Sequence, residues 1–381
     1  MNQNPGSDIE RILSRQEPSR IVFAPNYWQW FAHHRNHGIL PEELTGCENQ
    51  LDMIKYLGVD IFSRNIYCIQ DEYWFGGICD EYFEDHNVEV SVQFDNRNKI
   101  TDKEYHLRTG RLSEKLVYLF DESTIVQKEF LINDYKEQAG LFEQFVTSRK
   151  WKFNREKFEK AKNEAGDQGI VIVGDFFSPL KMLHLTMGAV NSVYFLMDQP
   201  EFAGRLMDIH EEAQLDLVKQ TVSNGVKVIM SMDNLDTMFH PPQYVEAYSA
   251  SFYEKASSIC HEHGAKFFIH ACGDQKGNLK LIDSLKVDGL EGVAFPPLGD
   301  VELDEAMQLT SDNFIITGGI SAMETRDLKT RQEVFKYVSN LFTRMKPFRN
   351  RFIFSASCNT SIDTTWNTII DFRDAWLEYR Q

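Results

Sequence analysis

The chain is short of cysteine. Six residues, Cys47, Cys68, Cys79, Cys260, Cys272 and Cys358, are scattered over 381 positions. That is no disulfide framework, and in a reducing compartment such thiols are free or bound to metal. Nowhere does a run of about 18 apolar residues occur, so no membrane-spanning helix is expected. Positive charge is scarce: 40 Lys and Arg stand against 57 Asp and Glu, a formal charge of −17. A nucleic-acid binder needs a basic face, which sets that class aside. A polyanionic substrate would need a site that concentrates its own cations. The opening residues, MNQNPGSDIERILSRQEPSR, lack the apolar core of a signal peptide, so a cytoplasmic location is expected. Internal repeats and low-complexity tracts are also missing.

The composition is that of a folded protein, 42% hydrophobic and 25% charged. The length suits two or three domains of about 150 residues, or one large α/β barrel with insertions. The pattern along the chain favours the barrel. Short apolar runs, rich in β-branched residues, recur at 21–24 (IVFA), 59–62 (VDIF), 170–174 (IVIVG) and 226–230 (VKVIM). Four more lie at 266–270 (KFFIH), 287–291 (VDGLE), 314–318 (FIITG) and 351–355 (RFIFS). Near-continuous apolar runs of this length read as buried parallel strands. Helical stretches fill the intervals. Phe202, Leu206, Ile209, Ala213, Leu217 and Thr221 recur three or four apart and share one face of a helix over 201–224. Further helices are expected over 242–263, closed by Gly264, over 331–345, and over 364–379, capped by Asp363 or Ser361. Eight strands alternating with helices predict a single (β/α)8 TIM barrel spanning residues 1–381. One segment breaks the rhythm. Between about 81 and 134, alternating runs and the turn residues Asn96 and Asn98 predict an antiparallel β-insertion after the second strand. It leaves from the catalytic end, where an insertion shapes or covers the site.

Chemistry in such a barrel lies at the C-terminal ends of the strands. His270 and Cys272 end the fifth strand, and residues two apart on a strand point the same way. Cys358 comes after the eighth strand. Imidazole and two thiolates with one open position make a catalytic zinc set; the alternative is a packed histidine and two structural thiols. Asp175 ends the third strand, and Asp233 and Asn234 end the fourth. They either anchor a substrate and protonate a leaving oxygen, or cap the adjoining helices. Asn65 comes after the second strand, and His240 sits on the loop after the fourth, as a loop or site residue. Glu291 is a distant acid or a partner for the His270 ring. After the first strand, Asn26 precedes Tyr27-Trp28-Gln29-Trp30-Phe31. Tyr27 and Trp30 are candidates to wall an apolar or aromatic pocket; equally, the block anchors a helix on the barrel. His33, His34 and His37 read as solvated helix residues.

The chain as a whole resembles the uroporphyrinogen decarboxylase-like superfamily. The resemblance starts at Arg11-Ile12-Leu13 and Glu17-Pro18-Ser19-Arg20-Ile21. It continues through Ser178-Pro179-Leu180, Met187-Gly188 and Asp198-Gln199-Pro200-Glu201. It then runs through His263-Gly264-Ala265-Lys266, His270-Ala271-Cys272-Gly273 and Gly318-Gly319-Ile320 to Cys358. One branch decarboxylates uroporphyrinogen without a cofactor, and its pattern implies an arginine-rich first loop. Here that loop reads Asn26-Tyr27-Trp28-Gln29-Trp30, with Arg35 the only arginine near it. The other branch is the corrinoid-linked methyltransferases, whose pattern implies zinc held by His-x-Cys and a distant Cys. His270, Cys272 and Cys358 match those positions. The resemblance therefore implies zinc, a corrinoid protein as partner, and methyl transfer to a thiol or from a donor such as a methyl ether. A metal-independent decarboxylase of uroporphyrinogen or a related carboxylate is the alternative. A barrel that only binds a ligand is the third reading.

Overall fold

The computed structural model describes residues 5–64 and 77–381. Two residues of interest, Asn65 and Cys68, lie outside the described residues. The barrel-type strands begin with β1 (Val22–Phe23) and β2 (Ile61–Ser63). The inserted strands are β3 (Cys79–Phe83), β4 (Asn87–Asp95), β5 (Asn98–Leu107), β6 (Gly110–Leu119), β7 (Thr124–Glu129) and β8 (Arg149–Phe153). Next come β9 (Gly169–Val171), β10 (Val173–Phe176), β11 (Val228–Leu235), β12 (Lys266–Ala271), β13 (Gly289–Val293), β14 (Ile315–Ile320) and β15 (Phe352–Ala356).

Seven of these form one parallel sheet in the order β1-β15-β14-β13-β12-β11-β10, and β2 pairs in parallel with β9. Phe23, Ile229, Phe268, Leu290, Ile316 and Ile353 are fully buried, as expected for strands covered on both faces. The Asp60 N–H donates to the Phe23 carbonyl at 2.8 Å, which sets β2 beside β1. The Asp60 carboxylate strengthens that junction by accepting two bonds from Arg20, at 2.6 and 2.7 Å, and one from the Phe23 N–H at 2.9 Å. The run expected as one strand over 170–174 is divided at Ile172. Its N–H donates instead to the Ser63 carbonyl at 2.9 Å, which tilts the chain from β2 toward β11.

The helix Pro200–Ser223 matches its expected span and buries Ala203, Leu206, Met207, Leu217 and Thr221. The stretch expected as one helix over 242–263 is two, Pro242–Tyr248 and Ala250–Glu262. They break at Ser249, whose backbone leaves the helical region and whose hydroxyl donates to the Ser178 hydroxyl at 3.1 Å. Gly264, at φ +69°, stands just beyond the second of them, in the left-handed conformation that ends helices. The last helix, Trp366–Tyr379, is capped by Thr365, which accepts from the Thr368 N–H at 3.1 Å. Asp363 and Ser361 do not fill that position.

The insertion is antiparallel, as expected, but larger. β4-β5-β6-β7 form a four-stranded sheet, and β3 pairs with β8 beyond the expected boundary. β5 (NKITDKEYHL) had no clear signature because Lys99, Asp102, Lys103 and Glu104 blur its alternation. The insertion rests on the helix Pro179–Asp198. Gln127 donates to the Leu185 carbonyl at 3.0 Å, and the Ile132 N–H to the Thr186 carbonyl at 2.9 Å. That helix breaks at Gly188 (φ 75°, ψ 159°), and a Cβ there would meet the Phe130 ring at 3.0 Å. No helix among the described residues is long and apolar enough to cross a membrane.

Candidate metal centre

His270 lies on β12, with Glu291 as its register partner on the neighbouring β13. The Nδ1–H of His270 donates to the Glu291 carboxylate, which leaves Nε2 for other partners. Nε2 stands 3.7 Å from the Cys272 Sγ and 3.8 Å from the Cys358 Sγ. The three donor atoms all lie within 4.8 Å of one another. One imidazole nitrogen and two sulfurs, drawn together in a largely buried corner, are the donor set zinc takes. The residues therefore fit the metal expected from the sequence.

Arg64, just beyond β2, completes this corner. Its guanidinium lies 3.5 Å from a Glu291 oxygen and 3.4 Å from the His270 ring. Burial alone would raise the Glu291 carboxyl, but the charges of Arg64 and His270 outweigh it and hold it at about 2. His270 is raised: burial and Arg64 oppose its charge, and Glu291 and Cys358 prevail. The Cys358 thiol falls well below its ordinary range, chiefly through its hydrogen bond with Cys272 and against the effect of burial. Cys272 is raised in turn. The two thiols titrate together, with Cys358 the one favoured to lose its proton.

Asn26 holds the loop that carries Cys358. Its amide donates to the Cys358 carbonyl and the Asn359 side chain, each at 2.9 Å, and its own carbonyl accepts from Thr360. The Asn26 Oδ1 is buried and has no hydrogen-bond partner among the described residues. Tyr27 and Trp30 are buried beside it. Trp30 donates to the Thr364 carbonyl at 2.7 Å and stacks on His34 and Trp366, so it fastens its helix to the last one. On that helix, Trp28–Asn36, His33 stacks on His37, which stands just past its end.

Asp233 is fully buried, and three donors occupy its carboxylate: the Ser178 N–H at 2.9 Å, the Ser231 hydroxyl at 2.7 Å and the Tyr253 hydroxyl at 2.7 Å. Asn234, next to it, is exposed and takes a left-handed backbone, φ 50°. Asp175 accepts from the Gly77 and Ile78 N–H groups at 2.9 and 3.2 Å and so pins the start of β3. Burial lifts its pKa to about 6 against those bonds. It lines a cavity of about 330 Å³ between the insertion and the parallel strands, with Tyr105, Phe145, Trp151 and Phe177 on the walls. His240 is buried, and neither ring nitrogen has a hydrogen-bond partner among the described residues.

Four residues near the mouth were not singled out from the sequence: Arg64, Lys181, His184 and Tyr253. Arg64 was findable, because it ends a strand. Lys181 and His184 sit three and six residues beyond Ser178, inside a helix that reads as covering, and Tyr253 is on another helix.

The family model described as Uroporphyrinogen decarboxylase (URO-D) matches residues 138–379. The structure is similar to that of a methyltransferase from Methanosarcina mazei, with a TM-score of 0.62 and 10% identity over 99% of each chain. A D-psicose 3-epimerase from Clostridium cellulolyticum H10 is more distant, with a TM-score of 0.35 and 9% identity over 60% of this chain and 83% of that one. No curated protein matches the sequence.

Proposed function

Because the chain belongs to the uroporphyrinogen decarboxylase family, we propose that it is the zinc-dependent methyltransferase type of that family. It moves a methyl group between a small substrate, a methyl ether or a thiol, and the cobalt of a corrinoid-carrying partner protein. The observation that carries this reading is the convergence of His270, Cys272 and Cys358 at the strand ends. A decarboxylase working without metal has no use for two thiols on one imidazole. The full-length likeness to a methyltransferase fold supports the same choice. In this reading the parallel strands close into an eight-stranded barrel, with β2 and the β9–β10 run completing the ring. The whole chain is one domain, working in the cytoplasm.

Zinc held by these residues would lower a thiol's pKa or polarise an ether oxygen, so that the methyl group leaves or arrives more easily. The chain's own residues do the rest. Glu291 fixes the His270 ring so that Nε2 faces the sulfurs, and Arg64 fixes Glu291. Asn26 sets the position of the Cys358 loop and keeps Oδ1 for substrate. Asp175, with a pKa near neutrality, is the carboxyl suited to hand a proton to a leaving oxygen. Asp233 acts from beneath, by fixing Ser178 at the start of the helix that carries Lys181.

The test is metal content by elemental mass spectrometry on tag-free protein, wild type against Cys272→Ser. About one zinc per chain is expected in the wild type and almost none in the variant. Methyl exchange with methylcobalamin, monitored by absorbance, should vanish with the metal. A wild type that takes up no zinc under reducing conditions, or a zinc-free variant that keeps its activity, would return the chain to the decarboxylase or ligand-binding reading.

A further inference from the structure

Beside Cys272 lies a second group of nitrogen-bearing side chains that the metal reading leaves unused. Lys181 and His184 are three apart on the helix Pro179–Asp198 and so share a face. His240 comes from the loop after β11, and its ring stands 4.9 Å from that of His184. Lys181 is within electrostatic reach of Cys272, Asp233, His184 and His240.

Among the described residues, no carboxylate pairs with Lys181 and no group hydrogen-bonds the His240 ring. Lys181 is only 9% exposed, yet no carboxylate among the described residues comes within ion-pair distance of its ammonium. The nearest acid, Asp233, already accepts from Ser178, Ser231 and Tyr253. His240 is 1% exposed with both ring nitrogens unpartnered among the described residues. Its backbone is nevertheless fixed on both sides: its N–H donates to the Asp236 carbonyl at 2.7 Å, and its carbonyl accepts from Asn278 at 2.8 Å. The ring is therefore held in place without a protein partner. Lys181 also stands in the first turn of its helix, where the backbone adds positive potential and a cation is disfavoured. A buried cation and orphaned imidazole nitrogens are unfavourable unless something else pairs with them.

We propose that Lys181, His184 and His240 form a subsite for a carboxylate carried by the small substrate, adjacent to the metal set. Lys181 supplies the charge, and the neutral imidazoles supply N–H donors. A cation built into an acidic protein selects the substrate by sign and places its reactive end toward Cys272. The inference rests on the proposed reading only for what that reactive end is.

The test is calorimetric binding at constant pH and ionic strength, using 3-methoxybenzoate, its neutral amide 3-methoxybenzamide, and acetate. It is run on the zinc-loaded chain and again on Cys272→Ser, so that metal is not mistaken for the anion's partner. The benzoate is expected to bind about tenfold or more tightly than either the amide or acetate, in both proteins. Lys181→Met should remove that preference, and His240→Phe should reduce it a few-fold. Removing an unpaired ammonium should also raise the Tm of Lys181→Met in anion-free buffer. Equal binding of acid and amide, acetate binding as tightly as the benzoate, a preference unchanged in Lys181→Met, or a lower Tm for that variant would overturn the proposal. A zinc content of zero with the preference intact removes the metal reading alone; a normal zinc content without the preference removes this one alone.

Discussion

Two regions at the C-terminal ends of the parallel strands are built on opposite plans. On the β12–β13 side the key polar groups are paired: His270 with Glu291, Glu291 with Arg64, and the two thiols with each other and with the imidazole. On the side of the helix Pro179–Asp198, Lys181 is buried with no carboxylate at ion-pair distance among the described residues, and the ring nitrogens of His240 have no hydrogen-bond partner there. The paired side is fixed by the protein itself, because Glu291 holds the His270 ring and Arg64 holds Glu291. The unpaired side is stabilised only by what enters it. A self-paired cluster and an incompletely paired one thus lie beside each other.

The comparison depends on Asp233, which occupies the boundary and belongs to neither side. Asp233→Ala should have the largest effect, a loss of about 3 kcal/mol or more in urea unfolding, since three buried donors lose their acceptor together. A loss below about 1 kcal/mol would mean Asp233 is no foundation, and the Lys181 side would then not be fixed in place. Glu291→Gln sharpens the other half. Zinc affinity, read by competition with a chelator, should fall about 10- to 100-fold while the fold is kept. Unchanged affinity would show that the pairing of His270 does nothing for the metal. Asp175 gives the smallest effect. Its carboxyl is raised on folding to about 6 from 3.8. A carboxyl raised on folding contributes stability that is present in full below the unfolded value and lost as pH rises through the folded one. Between about pH 4 and 7 the wild-type Tm should therefore fall relative to that of Asp175→Asn. Parallel curves would mean Asp175 titrates as it does in the unfolded chain.

Strand positions and the convergence of His270, Cys272 and Cys358 were legible in the sequence for the same reason. Parallel strands need unbroken apolar runs, and the residues just past each run lie by geometry at one end of the sheet. That rule placed His270, Cys272, Cys358, Glu291 and Asp175, and it would have placed Arg64 had every strand end been weighed alike. It could not show that Asp233 is saturated, because Ser178, Ser231 and Tyr253 come from three different elements. Nor could it find Lys181, whose burial depends on packing between a helix and the next strand's loop. The split at Ile172 and the break at Ser249 arise from single hydrogen bonds to Ser63 and Ser178, contacts no local pattern encodes. β5 was missed because its charged residues face across the sheet into pairs such as Lys103 with Glu114, which a one-dimensional alternation cannot register.

The notch at Gly188, filled by the ring of Phe130, has a consequence for heredity. The insertion cannot be traded between relatives as a free cassette, since its exit residue and the helix under it are fitted as lock to key. A chimera that imports a different insertion must import its counterpart at position 188 as well. Shrinking the aromatic at 130 alone would not admit a side chain at 188, because the backbone there, φ 75° and ψ 159°, strains any residue but glycine.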